Sequence, residues 1–178
     1  MKTCVFIIGT NASGKTSAAR EIMAKYGGVD EVRRTLTICN GRKTAFAGPY
    51  KEGSNYGGID VLNETKSLEG IVRNAFGEGI DTVICEGSYL DTFGMNLTNA
   101  IFASDRQLVV FLHAPLEVIA KRIRERSGNE ITRKVADKNK RIARAAKKWQ
   151  EIGVPVLVID TSRMTPAEIA DSIINKIK

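Results

Sequence analysis

The sequence predicts a single α/β domain in which helices cover both faces of a parallel β-sheet. Short apolar runs rich in β-branched residues, which are typical of buried strands, recur along the 178-residue chain. Segments with helical spacing lie between these runs, and that alternation is typical of parallel sheets. The first apolar run leads through a glycine-bearing loop directly into a helix.

The first third of the chain predicts a strand, a helix and a hairpin. Residues 4–8 are a short apolar run, and residues 17–26 have the pattern of a helix. Two strand-like segments, residues 31–39 and 42–48, flank Asn40-Gly41, a dipeptide that favours a tight hairpin turn. We expect this hairpin to be an addition at the edge of the sheet, near the glycine loop.

The rest of the chain continues the alternation. A loop rich in glycine and aromatic residues follows the hairpin and ends near residue 60. The elements predicted beyond it are, in order, a helix at 63–76, a strand at 82–87, a connection at 88–104 with a helix near its end, a strand at 107–113, helices at 115–126 and 131–152, a strand at 155–160 and an amphipathic helix from Thr165 onward. No repeat or linker interrupts them, so residues 1–178 are expected to form one domain.

The loop after the first strand carries the strongest motif. Its sequence, Gly9-Thr10-Asn11-Ala12-Ser13-Gly14-Lys15-Thr16, fits G-x-x-x-x-G-K-[ST] and lies between a predicted strand and helix, as a phosphate-binding loop requires. Lys15 is expected to reach the phosphates of a nucleotide, and the Thr16 hydroxyl is expected to bind Mg²⁺. An accidental glycine turn is the alternative. The predicted nucleotide-binding residues are Gly9, Asn11, Ala12, Ser13, Gly14, Lys15, Thr16 and Ser17.

Composition excludes several classes of protein. A hydrophobic content of 43% with 26% charged residues is that of a soluble globular protein. The apolar start is too short for a signal peptide or a membrane span. Cys4, Cys39 and Cys85 form neither a C-x-x-C pair nor an even set, so we expect buried reduced thiols and a cytoplasmic protein.

The positive charge is concentrated in one segment. Residues 121–148 contain twelve Lys and Arg against three Asp and Glu, a local net charge of +9, whereas the whole chain has +7. Such a patch suggests an anionic partner. A solvated helix face together with arginines of an ATP-binding lid is an equally good explanation.

Three side chains could take part in phosphoryl transfer. Glu86 ends a predicted core strand, where α/β sheets place ligands, and could bind Mg²⁺ or an acceptor. Arg122 and Arg126 are four residues apart on one helix, and the break at Ser127-Gly128 follows them. We therefore predict a lid at about residues 122–135 whose arginines stabilise the transferred phosphate.

An acceptor hydroxyl also needs a base. Asp60 closes the Gly57-Gly58-Ile59 turn and could accept the hydroxyl proton, although a helix N-cap is an equal alternative. Asp91 is a weaker candidate for the base, and His113 is expected to be a strand-end residue. The aromatic residues Phe46, Tyr50 and Tyr56 could stack a base or could simply pack.

The phosphate loop, the strand before Gly87 and the strand and helix spanning 111–126 together resemble the P-loop kinases, a group that includes nucleoside monophosphate kinases and polynucleotide kinase. The resemblance covers most of the chain. It implies a five-stranded parallel sheet, ATP with Mg²⁺ as the donor, and a lid that carries arginines. The strand-end acid is Glu86 rather than the usual aspartate, and neither an Asp-Arg-Tyr motif nor an extended lid is present.

The hairpin, Gly48-Pro49-Tyr50 and Gly57-Gly58-Ile59-Asp60 resemble most closely the small phage kinases that phosphorylate 5-hydroxymethyluracil in DNA. This resemblance implies a DNA acceptor and a location in the host cytoplasm. A kinase of a free nucleotide or another small metabolite is the alternative enzyme. Two other classes remain open: a nucleotide-switched binding module, and a DNA-binding protein whose phosphate loop is vestigial.

Overall fold

The computed structural model describes residues 1–54, 57–62, 68–131 and 133–178. The strands are β1 (Thr3–Ile8), β2 (Val29–Val32), β3 (Leu36–Cys39), β4 (Thr44–Ala47), β5 (Thr82–Glu86), β6 (Arg106–His113) and β7 (Val156–Asp160). The α-helices are α1 (Lys15–Lys25), α2 (Leu68–Gly77), α3 (Met95–Ile101), α4 (Leu116–Ser127), α5 (Arg133–Glu151) and α6 (Pro166–Ile177). Short 3₁₀ helices span Gly58–Val61 and Ser88–Asp91.

All seven described strands form one sheet in the order β2-β3-β4-β5-β1-β6-β7. Five neighbouring strands of this sheet, β4, β5, β1, β6 and β7, pair in parallel. Strands β2 and β3 pair antiparallel at one edge. The α/β class and the five parallel strands are therefore confirmed, but the sheet has further strands and the hairpin lies elsewhere than expected.

The hairpin is not an appendage of the sheet. Its second strand, β4, pairs in parallel with β5 over Thr44–Phe46 and is itself the fifth parallel strand. The turn forms as the Asn40-Gly41 pair predicts, because Asn40, Gly41 and Arg42 all have positive φ angles. The local sequence thus identified the turn, whereas the pairing of β4 depends on β5, which lies far along the chain.

The single strand predicted at residues 31–39 is wrong, because the chain bends there and forms β2 and β3. The Arg33 N–H donates to the Leu36 carbonyl at 2.7 Å, which closes the bend. The Arg33 guanidinium pairs with Glu31 at 2.7 Å and with Glu78. These contacts tie the bend to the end of α2.

The sheet carries a core on each face, as the apolar runs predicted. In β1, Cys4, Phe6 and Ile8 pack on the side of α2, α3 and α5. Val5 and Ile7 point to the opposite side and pack with α1 and α6. This alternation holds β1 in the centre of the sheet and places the loop after it at the sheet's carboxyl edge.

Strand β7 is less buried than the predicted core strand at 155–160. It lies at the edge of the sheet, and the Val158 side chain is 52% exposed. The predicted helix at 63–76 corresponds to α2 from Leu68 onward, and residues 63–67 lie outside the described residues. The predicted helix within 88–104 is α3. In the described part of the chain, no helix has the length and apolarity to cross a bilayer.

Candidate active site

The phosphate-loop motif forms a tight turn between β1 and α1. A Cβ at Gly9 would overlap the Ser13 side chain and the Leu112 carbonyl of β6, so only glycine fits there. The Lys15 ammonium donates to the carbonyl oxygens of Gly9 at 2.6 Å and Thr10 at 3.1 Å. The loop therefore curls around the lysine that is expected to contact phosphate.

Lys15 is almost fully buried, and burial lowers the pKa of its ammonium. The carboxylates of Asp91 and Glu86 act in the opposite direction and favour the charged form. These acids thus provide the counter-charges of the loop lysine. A polyphosphate entering the loop would take over part of that role.

Glu86 ends β5 inside the site and is 1% exposed. Its Oε1 atom accepts hydrogen bonds from the Tyr50 hydroxyl at 2.8 Å and from Thr16 Oγ1 at 3.1 Å. Burial raises the pKa of Glu86, while the hydrogen bond from Tyr50, the charge of Lys15 and the hydrogen bond from Thr16 lower it in part. The strand-end acid is therefore joined to the phosphate loop through Thr16.

Thr16 and Glu86 fit the predicted magnesium site. Among the described residues, no cluster of three or more His, Cys, Asp and Glu is placed to hold a metal on its own. Mg²⁺ in nucleotide sites needs only one or two protein oxygens, because phosphates and waters complete its shell. The Thr16 hydroxyl and the Glu86 carboxylate, 3.1 Å apart, offer such a pair.

Asp60 lies at the mouth of the site, in the 3₁₀ helix Gly58–Val61. Its Oδ1 accepts the Ser88 N–H at 2.7 Å, and its side chain is exposed to the cleft. Asp60 therefore caps the backbone after β5 rather than its own helix. One carboxylate oxygen is held in place, and the side chain lines the cleft, as a base for an acceptor would have to.

Glycines lock the Asp60 segment against the neighbouring elements. A Cβ at Gly58 would overlap the Glu86 carbonyl, and a Cβ at Gly48 would overlap the Gly58 carbonyl. Both glycines have positive φ angles, +73° and +96°. The hairpin, the Asp60 segment and the end of β5 thus stack with backbone touching backbone, which fixes the distance between Asp60 and Glu86.

Arg122 lines the site, but its guanidinium N–H groups bind oxygens of the protein, whereas the prediction gave them a phosphate. Its guanidinium donates to the Ala12 carbonyl at 3.3 Å, to Thr161 Oγ1 at 3.0 Å and to the Thr161 carbonyl at 2.7 Å. It therefore ties the phosphate loop to the segment after β7. Arg126 lines the cleft and is exposed, so its guanidinium can turn toward a ligand.

The described residues around the loop enclose a cleft of about 620 Å³. The volume is within the range of small-molecule sites. The cleft brings together the predicted residues Asn11, Ala12, Ser13, Gly14, Lys15, Thr16, Ser17, Asp60, Glu86, Arg122 and Arg126. Gly9 does not line the cleft. Its carbonyl oxygen instead accepts the hydrogen bond from the Lys15 ammonium.

Some residues at the site were not predicted from the sequence. Arg20, one turn after Thr16 on α1, lines the cleft, and its guanidinium donates to the Ser54 carbonyl at 2.5 Å. Lys138 of α5 donates to Asn11 Oδ1 at 2.8 Å and to Ser88 Oγ at 3.0 Å. The helical spacing from Thr16 could have indicated Arg20, but no local pattern distinguishes Lys138 from the other lysines of α5.

The aromatic residues of the hairpin do not form a stacking platform. Phe46 and Tyr50 are buried and pack edge to face, with ring centroids 5.7 Å apart. The packing alternative is therefore correct for these two, and Tyr56 lies outside the described residues. Cys4, Cys39 and Cys85 are buried and form no disulfide.

Comparison with known proteins gives a fold assignment. No protein-family profile matches the chain, and no curated protein matches it in sequence. A sugar kinase from a Janibacter species superposes with a TM-score of 0.62 at 18% identity, over 99% of this chain and 95% of that one. The YorR protein of Bacillus subtilis, solved with phosphorylated GDP, gives 0.60 at 17% identity, over 98% and 95%.

A third solved structure is the deoxyadenosine kinase from M. mycoides with dCMP and dCDP bound. It superposes with a TM-score of 0.52 at 16% identity, over 98% of both chains. Similarities at such low identity are evidence of fold alone. The chain therefore shares its α/β fold with these solved kinases.

Proposed function

We propose that this protein is an ATP-dependent kinase that transfers the γ-phosphate to a hydroxyl group. The observation that supports this most directly is the contact of Thr16 with Glu86 at the phosphate loop, in a cleft that also contains Asp60. A loop that only held phosphate would need neither acid.

The transfer breaks the bond between the γ-phosphorus and the β–γ bridging oxygen and forms a bond from phosphorus to the acceptor oxygen. The N–H groups of residues 11–16 and the Lys15 ammonium hold the donor phosphates. Thr16 and Glu86 would hold Mg²⁺, which would supply positive charge to the phosphate oxygens. Asp60 accepts the hydroxyl proton, and Arg126 approaches the transferred group from α4.

Another group of residues that line the cleft suits the base of the nucleotide. Met164, Pro166 and Ile169 contribute apolar surface there, and Arg122 fixes the neighbouring backbone at Thr161. An apolar slot bordered by fixed backbone is a common site for a purine. We therefore place the adenine of ATP near α6 and the acceptor near Asp60.

The favoured acceptor is a small molecule with a free hydroxyl group. The cleft volume supports this, as do the names of two solved relatives, a sugar kinase and a deoxyadenosine kinase. The second candidate is the 5-hydroxymethyl group of 5-hydroxymethyluracil in DNA. The exposed cations Lys140, Arg141 and Arg144 on one face of α5 favour it, because DNA is bound largely through its phosphates.

One experiment separates these acceptors. The protein is incubated with Mg²⁺ and γ-labelled ATP, together with sugars and sugar acids, with nucleosides and nucleotides, or with duplex DNA containing 5-hydroxymethyluracil. We expect transfer to one small-molecule class, and no transfer by the Lys15→Ala variant, which lacks the phosphate-binding ammonium. Label on DNA alone would favour the second candidate. Nucleotide binding without transfer to any hydroxyl would instead favour a nucleotide-switched module.

A charge variant tests the DNA candidate separately. If DNA is the acceptor, replacing Lys140, Arg141 and Arg144 together with Gln should weaken duplex binding and flatten its dependence on salt. Binding of Mg·ATP should stay unchanged, because these side chains are exposed outside the cleft. Equal DNA affinity of the variant and the wild type would remove this candidate's structural support.

A further inference from the structure

Lys138 joins three separate segments of the site. It lies on α5, and its ammonium is 2.7 Å from Asp91 Oδ2 in the 3₁₀ helix after β5. The same ammonium donates to Asn11 Oδ1 in the phosphate loop at 2.8 Å and to Ser88 Oγ at 3.0 Å. The ammonium thus forms an ion pair with one carboxylate and hydrogen bonds with two neutral oxygens.

The three partners of Lys138 differ in how easily a ligand could replace them. The Asp91 side chain is 0% exposed, and apart from the ion pair with Lys138 neither of its carboxylate oxygens has a hydrogen-bond partner among the described residues. Losing Lys138 would leave a buried carboxylate without its direct ion-pair partner and with only the charge of Lys15 nearby, which is costly. Asn11 and Ser88 are neutral and line the cleft, so a ligand can replace them at little cost.

Lys138 also lies close to the lysine of the phosphate loop. Its charge lowers the pKa of Lys15, whereas the charge of the Asp91 carboxylate raises it. In a loop of this type the lysine reaches the β- and γ-phosphates. Lys138, between Asn11 and the Ser88 segment, is therefore at the end of the loop where the terminal phosphate meets the acceptor side.

We propose that Lys138 is a ligand of the terminal phosphate of the donor nucleotide and that Asp91 is the positioning residue for it. When the triphosphate binds, phosphate oxygens replace Asn11 Oδ1 and Ser88 Oγ, and the ion pair with Asp91 persists. Helix α5 thereby senses whether the γ-phosphate is present. This inference rests on the proposed function, because it requires a nucleotide in the loop.

The test compares a triphosphate analogue with a diphosphate. Calorimetry with Mg²⁺ measures the affinities of adenylyl-imidodiphosphate and ADP for the wild type and for Lys138→Met. We expect the affinity of the variant for the analogue to fall by about tenfold or more, because a charge-assisted contact is removed. Its affinity for ADP should stay within about twofold, and Lys138→Arg should recover most of the loss.

The matched control is Lys147→Met, because Lys147 is an exposed lysine of the same helix, 77% exposed and 3.9 Å from Glu151. Its affinities should equal those of the wild type. Because Lys138→Met leaves Asp91 unpaired, the double variant Lys138→Met/Asp91→Asn is measured as well. The double variant, which lacks both charges, should keep the native fold. It should still lose affinity for the triphosphate analogue but not for ADP.

The outcomes distinguish this inference from the proposed function. If the wild type binds neither nucleotide, the proposed function itself fails. The role of Lys138 is refuted if the wild type binds both nucleotides and both variants either keep their affinities or lose affinity equally for ADP and the analogue. In that case the kinase proposal stands. Only a loss specific to the triphosphate analogue supports the assignment.

Discussion

At the scale of single residues, burial makes the negative charge of Glu86 unfavourable, and the neighbouring groups offset only part of that cost. Burial raises the pKa of its carboxyl group, and a hydrogen bond from Tyr50 is the largest opposing contribution. The Tyr50 hydroxyl and the Thr16 hydroxyl both donate to one oxygen. A metal or a proton could bind the second oxygen, so Glu86 would couple the site to pH.

The raised pKa has a consequence for stability that can be measured. As pH falls through the folded-state pKa, the native protein takes up a proton that the unfolded chain does not yet bind, so the free energy of unfolding rises. The gain is complete once the unfolded glutamate is also protonated. We expect the stability of the wild type relative to Glu86→Gln to increase from neutral to acid pH, measured by urea unfolding at several pH values.

The comparison with Glu86→Gln matters because other acids titrate in the same range. Glu31, for example, has its pKa lowered to about 2 by hydrogen bonds from Arg33 and Arg42, and it contributes equally in both proteins. A stability difference that stays constant or falls toward acid pH would show that the Glu86 carboxylate is not strained by burial.

The role of Asp60 can be separated from that of its backbone contact. Asparagine keeps an oxygen for the Ser88 N–H but cannot accept a proton from an acceptor hydroxyl. We expect Asp60→Asn to lower kcat by about two to four orders of magnitude with ATP affinity unchanged, once an acceptor is identified. Steady-state kinetics and calorimetry provide the two measurements, and a variant with near wild-type kcat would reduce Asp60 to a structural cap.

At the scale of elements, close contact between backbones sets the acceptor side of the cleft. Gly48 follows β4, and its Cα faces the Gly58 carbonyl without room for a side chain. The Tyr50 N–H and the Gly48 carbonyl are both bound by the Thr37 hydroxyl of β3, at 2.9 and 3.0 Å. The position of the Asp60 segment therefore depends on the hairpin as much as on its own sequence.

A pair of alanine variants isolates this contact. Gly53 also has a positive φ, +72°, but no described residue lies near a Cβ there, so Gly53→Ala reports mainly the backbone strain. We expect Gly48→Ala to destabilise the protein by about 1–3 kcal/mol more than Gly53→Ala, because it adds overlap with Gly58. Urea unfolding measures both, and equal losses would mean that the two segments can separate without cost.

At the scale of the whole molecule, one buried tryptophan reports on the central core. Trp149 of α5 is fully buried and packs edge to face against Phe6 of β1, with centroids 6.0 Å apart, and against Phe93 at 4.8 Å. It therefore senses the contact between the sheet and one helical layer. The hairpin and its strands lie on the other side of the sheet centre.

If residues 1–178 unfold as one domain, Trp149 fluorescence and far-ultraviolet circular dichroism should give the same urea midpoint. Both midpoints should also shift upward together with saturating Mg·ATP, because a ligand of the native state stabilises the whole cooperative unit. Separate midpoints would show that the hairpin and the phosphate-loop core are independent units.

Predictability from sequence differed between local and distant features. The loop from Gly9 to Thr16 was recognisable because its residues are contiguous and its geometry depends on their own backbone. The turn at Asn40-Gly41 was recognisable for the same reason. The split of residues 31–39 was missed, because the period-2 alternation gives no sign of the Arg33–Leu36 hydrogen bond that closes the bend or of the distant Glu78 that pairs with Arg33.

The sequence by itself determined the fold class, the location of the phosphate loop and the strand that ends in Glu86, since short-range patterns of apolar residues and glycines encode these features. Only the tertiary structure decided that β4 lies inside the sheet and that Arg122 braces Thr161. Only the tertiary structure also brought Lys138 to Asn11, 127 positions away. Such contacts arise from the packing of whole helices and strands, where a lysine that binds the loop and a lysine that faces water have the same local sequence pattern.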